Sequence, residues 1–473
     1  MATIKEFKRN YIRAVQDGSA AIFAGAGIGR SSGYMDWKKL LKEFADSINL
    51  DVEQEYDLVE VAQYYKNEKG SRSDINNKIL NEFLRSAKNT ITLDLLASMP
   101  ISCYWTTNYD HLIEDALKRS GKTVDTKITS ESLAVSLHNK ATIVYKMHGD
   151  CTDPANCVIT KDDYEVYNTT RNVFTVALQG YLVTKTFLFI GFSFEDPNLK
   201  YLLSRIRVLL GENIRTHYCF FEKTKRETGQ SEEEFEYKRN RQELRVRDLQ
   251  RYGIQAVMLE NYNQIPEILE CIRLQAKTKN VFISGAAHRY EDSWGKKGIE
   301  LITLLSEMLY DNDFRIITGH ARGIGSFILS TILEKAQNSI NSLDAHLMIR
   351  AFPYEDRDKP NYNSLKKAYR DKIADESGIF IFIFGNKQTE NGECVLADGM
   401  REEYHAALAH NSYIIPVGST GYIAREIFEE IYANRNEFQY LEASDFDILG
   451  KSTDPQTVVD QIRTIILRIK DGQ

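Results

Sequence analysis

The sequence predicts an α/β protein made of two Rossmann-like parallel-sheet domains, the first carrying a helical insertion. Three observations carry that prediction. Short apolar runs such as Ala21–Ala24, Thr186–Ile190 and Ile379–Phe384 have strand length and lack the polar alternation of a sheet with one wet face. Segments with helical spacing separate them, as the crossovers of a parallel sheet require. The runs end in glycine or polar clusters, and the pattern starts again near Thr278–Asn280. The boundary is therefore expected there, giving domains 1–278 and 279–473.

The 473 residues suffice for two or three domains. A net charge of -7 gives no basic footprint for general nucleic-acid binding. The opening MATIKEFKRN lacks the apolar core of a secretory signal, and the longest apolar runs are too short to span a bilayer. A cytoplasmic protein without nucleic-acid or membrane partners is expected. The six cysteines, Cys103, Cys151, Cys157, Cys219, Cys271 and Cys394, form no C-x-x-C pair. Cys151 and Cys157 are close, but no second pair completes a zinc site. The thiols read as buried or idle, and no metal is expected.

In the first half, Ile4–Gln16 reads as an amphipathic helix leading into the strand Ala21–Ala24. Gly25, Gly27 and Gly29 then turn the chain. Glycine lets the backbone turn tightly and approach a pyrophosphate, which the next helix N-terminus would face. Helices over Lys38–Ser47, Val52–Tyr65 and Asn76–Ser86 make up the insertion. The strand Ile101–Thr106 ends in TTNYD at 106–110, followed by a helix over His111–Arg119. The strand Ala141–Met147 ends in His148-Gly149-Asp150. A helix over Phe174–Leu182 precedes the strand Thr186–Ile190, which runs into GFSFEDPN at 191–198. A helix over Leu199–Leu210, the strand His217–Phe221, a charged helix over Ser231–Tyr252, the strand Gln255–Leu259 and a helix over Ile265–Lys277 follow.

In the second half, Val281–Ser284 is a strand ending at Gly285, and Gly298–Tyr310 a helix. Arg315–Ile317 leads into a glycine loop through Thr318, Gly319, Gly323, Gly325 and Ser326, then a helix over Phe327–Gln337. Leu347–Ala351, Ile379–Phe384 and Tyr413–Val417 are further strands. Ligands of such sheets bind at the carboxyl ends of the strands, where these polar clusters fall.

Four of those clusters together, GAGIG…GYMDW at 25–37, TTNYD at 106–110, MHGD at 147–150 and GFSFEDPNL at 191–199, resemble the sirtuin-like NAD-binding fold over about residues 1–278. The resemblance implies NAD as substrate, broken between nicotinamide and ribose. Such a site must hold the ribose, stabilise positive charge on it and position a nucleophile. An amide at Asn108 suits a ribose hydroxyl or water, and His148 can accept a proton near neutral pH. By resemblance these two are the catalytic pair, and Gly25, Ala26, Gly27 and Ser193 line the substrate. Asp110 would either stabilise the nicotinamide end or hold its own loop. An Asn-x-Asp turn is also a common helix cap. Trp37, Phe192 and Phe194 read equally as core aromatics or ligand contacts. Two departures stand out: the chain lacks the four-cysteine zinc module of deacylating sirtuins, and it has Thr107 where they usually have Gln. Both favour water as acceptor, hence an NAD glycohydrolase giving nicotinamide and ADP-ribose.

The second half resembles the SLOG family of nucleotide-binding domains. Gly285, Gly323, Gly325 and Ser326 would frame phosphates there, with His320-Ala321-Arg322 making the loop bulky. A guanidinium at Arg370 and an ammonium at Lys387 suit a pyrophosphate, and a carboxylate at Glu403 suits ribose hydroxyls. Singly, each is also an ordinary surface charge. The pairing of the two halves resembles the Thoeris antiphage-defence effectors over essentially the whole chain. That resemblance implies activation by a cyclic ADP-ribose isomer made by a TIR-domain partner, NAD depletion in abortive infection, and a homotetramer able to form filaments. Two other readings stay open: an NAD-dependent protein deacylase and a non-catalytic nucleotide-sensing scaffold.

Overall fold

The computed structural model describes residues 1–135, 137, 141–192, 194, 199–200, 203–204, 207–208, 211, 214–290, 293–319, 323–337, 340–353, 360–389 and 391–471. Its contacts divide the chain into two compact units, Met1–Arg273 and Leu274–Gln473. Both are α/β. Among the described residues no helix is long and apolar enough to cross a membrane.

The first unit is built on seven strands: β1 (Ala20–Ala24), β2 (Cys103–Thr106), β3 (Val124–Lys127), β4 (Thr142–Lys146), β5 (Thr186–Ile190), β6 (His217–Glu222) and β7 (Ile254–Leu259). They lie in the order β3-β4-β2-β1-β5-β6-β7, every neighbouring pair parallel. Every residue of β1 and β5 is buried, which is why these strands are unbroken apolar runs. The chain adds strands on one side of β1, then returns with β5 on its other side. The crevice where strand order reverses is the usual ligand site of such a sheet. The helix Ile4–Gln16 starts at a capping box between Thr3 and Glu6, and it buries Phe7, Tyr11, Ala14 and Val15.

Four elements of the first unit differ from expectation in ways that bear on the sheet and its turns. The helix expected over Val52–Tyr65 begins only at Leu58 and runs to Lys69. Asp51 accepts from the Glu53 N–H at 3.0 Å, so 51–54 form a turn, and Asp57 caps the helix through the N–H groups of Val59 and Glu60. Gly27 and Gly29 do not turn the chain; they sit in a helix over Ala26–Ser31, and only Gly25 stands before it. The edge strand β3 escapes the apolar criterion because its inward residues are Asp125 and Lys127, an ion pair at 2.9 Å. A helix over Ile91–Ser98 was likewise not anticipated.

The second unit has five parallel strands: β8 (Asn280–Ala286), β9 (Arg315–Thr318), β10 (Leu347–Ile349), β11 (Ile379–Phe384) and, after a β12–β13 hairpin (Asn386–Gln388, Cys394–Leu396), β14 (Tyr413–Pro416). Their order is β10-β9-β8-β11-β14. All six residues of β11 are buried between β8 and β14. Helices over Tyr362–Glu376 and Gly399–Ala409, absent from the sequence reading, carry Arg370 and Glu403.

The turns after β1 and β5 press against each other. The Gly25 N–H donates to the Ile190 carbonyl (2.9 Å) and the Gly27 N–H to the Gly191 carbonyl (2.8 Å). A Cβ on Gly191, whose φ is +64°, would lie 2.6 Å from the Ile28 nitrogen. Gly191→Ala is therefore expected to destabilise the protein by about 1–3 kcal/mol. Thermal unfolding measures this, and a variant as stable as its parent contradicts the packing described.

Candidate active site and sensor cavity

Strands β2 and β4 are neighbours with Thr106 paired to Lys146, and each runs two residues further to Asn108 and His148. The two candidate catalytic residues thus leave adjoining parallel strands at matched positions, at the same edge of the sheet. Asn108 is half-buried. Its N–H donates to Thr106 Oγ1 (2.9 Å), and its side-chain Nδ2 donates to the Gly25 carbonyl (3.1 Å). This ties the amide to the turn after β1. His148 is 2% exposed, with its ring edge-on to Tyr164 and Tyr167 at 5.6 and 6.2 Å between centroids. Its carbonyl accepts from the Val158 N–H (2.9 Å). Arg171 holds the same loop through the carbonyls of Met147 and Asn156, and Arg72 holds Asp163 and the Cys157 carbonyl.

Of the expected substrate-lining residues, Gly25 and Gly27 are placed by their contact with Gly191, and Ala26 opens the helix between them. The glycines are needed for that contact whatever else approaches the turn. Ser193 lies outside the described residues, as do Glu195, Asp196, Pro197 and Asn198. Phe192 and Phe194 join Phe23 and Phe189 in an aromatic cluster, so packing accounts for them.

A buried set of charges underlies these turns. Lys146 is 0% exposed and forms ion pairs with Asp150 (2.5 Å) and Glu114 (3.2 Å). Asp150 also meets His111 Nε2 at 2.9 Å and accepts from Thr152. The hydrogen bond to Asp150 raises His111 to about 10, so the ring is an imidazolium at neutral pH. Burial opposes ionisation of Asp150, but His111 and Lys146 outweigh it and hold the carboxyl well below the usual range. Asp110 is different. It caps the helix Leu112–Arg119 by accepting the Leu112 N–H (3.0 Å), and burial pushes its carboxyl up to about 6. His111, Asp150 and Cys151 place three potential ligand atoms within 4.8 Å of one another. In this cluster Asp150 pairs with both His111 and Lys146.

In the second unit, a cavity of about 50 Å³ opens at the carboxyl ends of β8 and β9, lined by Gly285, Thr318, Gly319, Phe352, Tyr369 and Glu403 among others. Glu403 accepts from Ser284 Oγ at 2.6 Å, and burial pushes its carboxyl up to about 7. Arg370 is 6% exposed, stacks over Phe352 at 5.5 Å and pairs with Glu402 at 2.5 Å. Lys387 is apart from the cavity lining. It is exposed on the β12–β13 hairpin, 3.3 Å from Asp398. A Cβ on Gly285 would meet Ile324 and Ile383. Gly323, with φ +76°, lies under Ala287, and its carbonyl accepts from Tyr290 (2.8 Å). Gly325 opens the helix Gly325–Lys335, and Ser326 is exposed on its first turn. His320, Ala321 and Arg322 lie outside the described residues.

These two sites sit in segments with known counterparts. Residues 102–243 match the SIR2-like domain family, and residues 264–471 match the Sir2- and TIR-associating SLOG family. The NAD(+) hydrolase ThsA of Bacillus cereus (strain MSX-D12) is 42% identical over 430 residues, 90% of this chain and 89% of the relative. The NAD(+) hydrolase ThsA of Acinetobacter baumannii (strain 532279) is 39% identical over 469 residues, 96% of this chain and 97% of the relative. The chain belongs to the ThsA family of NAD(+) hydrolases. A more distant likeness, 27% over 219 residues, is to defense-associated sirtuin 2 of Bacillus subtilis.

In this ThsA-family chain the sequence reading missed Lys146, Glu114, His111 and Arg171. The first had a signal: a lysine closing an otherwise apolar strand next to HGD. The others are ordinary charges in or before a helix until the fold brings them against these turns. Asp110 generates a pH prediction. Its folded-state value lies above the unfolded one, so its stabilising contribution is complete below about pH 4 and is lost as pH rises through about 6. Asp110→Asn keeps the acceptor for Leu112 and does not titrate. The variant is expected to gain melting temperature over its parent at pH 7 and to gain less at pH 4.5; equal margins at both values contradict the assignment.

Proposed function

We propose that the first unit hydrolyses NAD to nicotinamide and ADP-ribose, and that the second unit gates this reaction by binding a cyclic ADP-ribose isomer. The observation that carries the catalytic half is the emergence of Asn108 and His148 from paired positions of β2 and β4. The Asn108 amide holds the nicotinamide ribose or the attacking water. The bond between ribose C1′ and the nicotinamide nitrogen breaks, and its electron pair neutralises the pyridinium. Water forms the new C–O bond and gives its proton to His148. Asp110, buried beside the glycine helix, supplies negative charge near the positively charged sugar once it is ionised. Water rather than an acylated lysine is the acceptor, in keeping with the missing zinc cysteines and with the hydrolase names of the relatives.

The gating half rests on the SLOG match and on the cavity lined by Glu403 and Phe352, with Arg370 stacked over Phe352. Arg370 takes the phosphates, Glu403 takes ribose hydroxyls, and Gly285, Gly323, Gly325 and Ser326 frame them; Lys387, on its exposed hairpin apart from the cavity lining, is left out of this contact. The signal comes from a TIR-domain partner after phage infection, and NAD depletion in the cytoplasm ends the infected cell. A ligand shifts an equilibrium only by its differential affinity, about 1–3 kcal/mol in allosteric systems. A shift from 1:99 to 99:1 needs about 5.5 kcal/mol. That difference favours several subunits switching together, as in a homotetramer.

Purified protein, NAD and a cyclic ADP-ribose isomer test both halves by nicotinamide release. Asn108→Ala and His148→Ala are each expected to lower turnover by about 100-fold or more. Full turnover in either variant removes that residue from the chemistry. Arg370→Ala is expected to abolish activation while leaving NAD binding to the first unit intact. Normal activation of that variant refutes the sensor assignment.

A further inference from the structure

Lys146 closes β4 in a fully buried position, where an ammonium is strongly disfavoured unless it is compensated. Strand formation does not need it; an apolar side chain would suit this sheet better. Its partners show where the compensation comes from. Nζ donates to the carbonyls of Tyr109 (3.0 Å) and Asp110 (2.5 Å), and it pairs with Asp150 (2.5 Å) and Glu114 (3.2 Å). These four acceptors belong to three segments: the turn after β2, the helix Leu112–Arg119 and the turn after β4. Asn108 directly precedes Tyr109, and His148 lies two residues before Asp150. The same turns share one backbone hydrogen bond, from the Cys151 N–H to the Tyr109 carbonyl (3.0 Å). One cation therefore joins the two turns that bear the candidate reacting residues.

We propose that Lys146 is a positioning residue for NAD hydrolysis, its ammonium fixing the turn that carries Asn108 against the turn that carries His148. It acts from behind the site. With no exposed surface, and with its three N–H groups turned to Tyr109, Asp110 and Asp150 while Glu114 stands beside it as an ion pair, it does not reach the substrate. The inference rests on the reading of Asn108 and His148 as the reacting pair. The cation also bears on Asp110, which faces Lys146 from β4, His111 and Glu114 from its own helix, and Tyr34 from the turn after the glycine helix. Among these, Lys146 is the cation that most favours the carboxylate, with His111 adding less.

The test uses the full chain with NAD and a cyclic ADP-ribose isomer. Lys146→Met removes the cation, and Lys146→Met with Glu114→Gln removes one charge of each sign, leaving Asp150 paired with His111. Misplaced reacting groups cost about 100-fold in kcat with little change in KM. The double variant is expected to melt near its parent, to keep the parental KM for NAD within about threefold, and to lose about 100-fold in kcat. A purely structural lysine predicts otherwise: turnover returns with the melting temperature. That result overturns the inference, as does parental kcat in either variant, or loss of the fold in both. Asn108→Ala and His148→Ala run alongside. If those two keep parental turnover the site reading fails; if they lose it while the Lys146 variants do not, only the role given to Lys146 fails.

Discussion

The constraint from which the rest follows is the burial of β1 on both faces. Ala20–Ala24 has no wet side, and its neighbours β2 and β5 are buried residue for residue as well. A strand in that position has no lateral surface on which to carry polar chemistry. Polar groups can enter only where the strand stops, so the turns after β1, β2, β4 and β5 collect them. The turn after β1 has a second restriction: it must clear the turn after β5, where Gly25, Gly27 and Gly191 approach closer than any Cβ allows. The glycines that look made for a phosphate are first made for each other. A phosphate-binding turn and a tightly packed turn ask for the same residue, and packing explains the glycines even before a ligand is considered.

That ambiguity sets how much was readable in advance. The fully buried strands were readable almost to the residue, because burial on two faces leaves an unbroken apolar run: Thr186–Ile190 and Ile379–Phe384 agree with the structure end for end. Strands with charged inner residues were not. β3 hides Asp125 and Lys127 as a pair, and no single-residue criterion distinguishes a paired inward charge from a solvated one. The helix after Val52 was mis-started for a related reason, since Asp51 and Asp57 compete for the local N–H groups and only the second begins a helix. Among the site residues, Asn108, His148 and Asp110 were legible because they follow strands directly. Lys146 and His111 were not, because their meaning lies in a contact with Asp150 that spans β4 and a helix. In the second unit Arg370 and Glu403 were named without the helices that carry them. Lys387 is found on an exposed hairpin away from the cavity lining.

The two units solve the same electrostatic problem in different ways. In the first, opposite charges are paired inside the protein: Lys146 and His111 hold Asp150, Glu114 stands by Lys146 as an ion pair without a hydrogen bond, and the set ties two turns together. Such a set costs desolvation and returns geometry, which is worth having where reacting groups must meet within a fraction of an ångström. In the second, matching is incomplete. Glu403 is held by one hydroxyl and has a carboxyl near neutrality, while the buried Arg370 Nε finds no hydrogen-bond partner among the described residues.

Incomplete matching is the physical requirement for a sensor. A cavity whose charges were already satisfied would gain little from a ligand, since binding would only exchange one good set of partners for another. Arg370 is stacked on Phe352 and tied by its outer nitrogen to Glu402, which is itself exposed. That salt bridge is screened on one side and readily surrendered. An anionic ligand reaching the guanidinium would trade the partly solvated Glu402 contact for a buried, charge-assisted one, and hydroxyl donors would draw Glu403 toward its ionised form. Both changes favour the occupied state over the empty one, and only such a difference can move a conformational equilibrium. The contrast supports the proposed division of labour between the units: paired charges fix the turns of one site, while the other has groups to which a ligand would bring new partners.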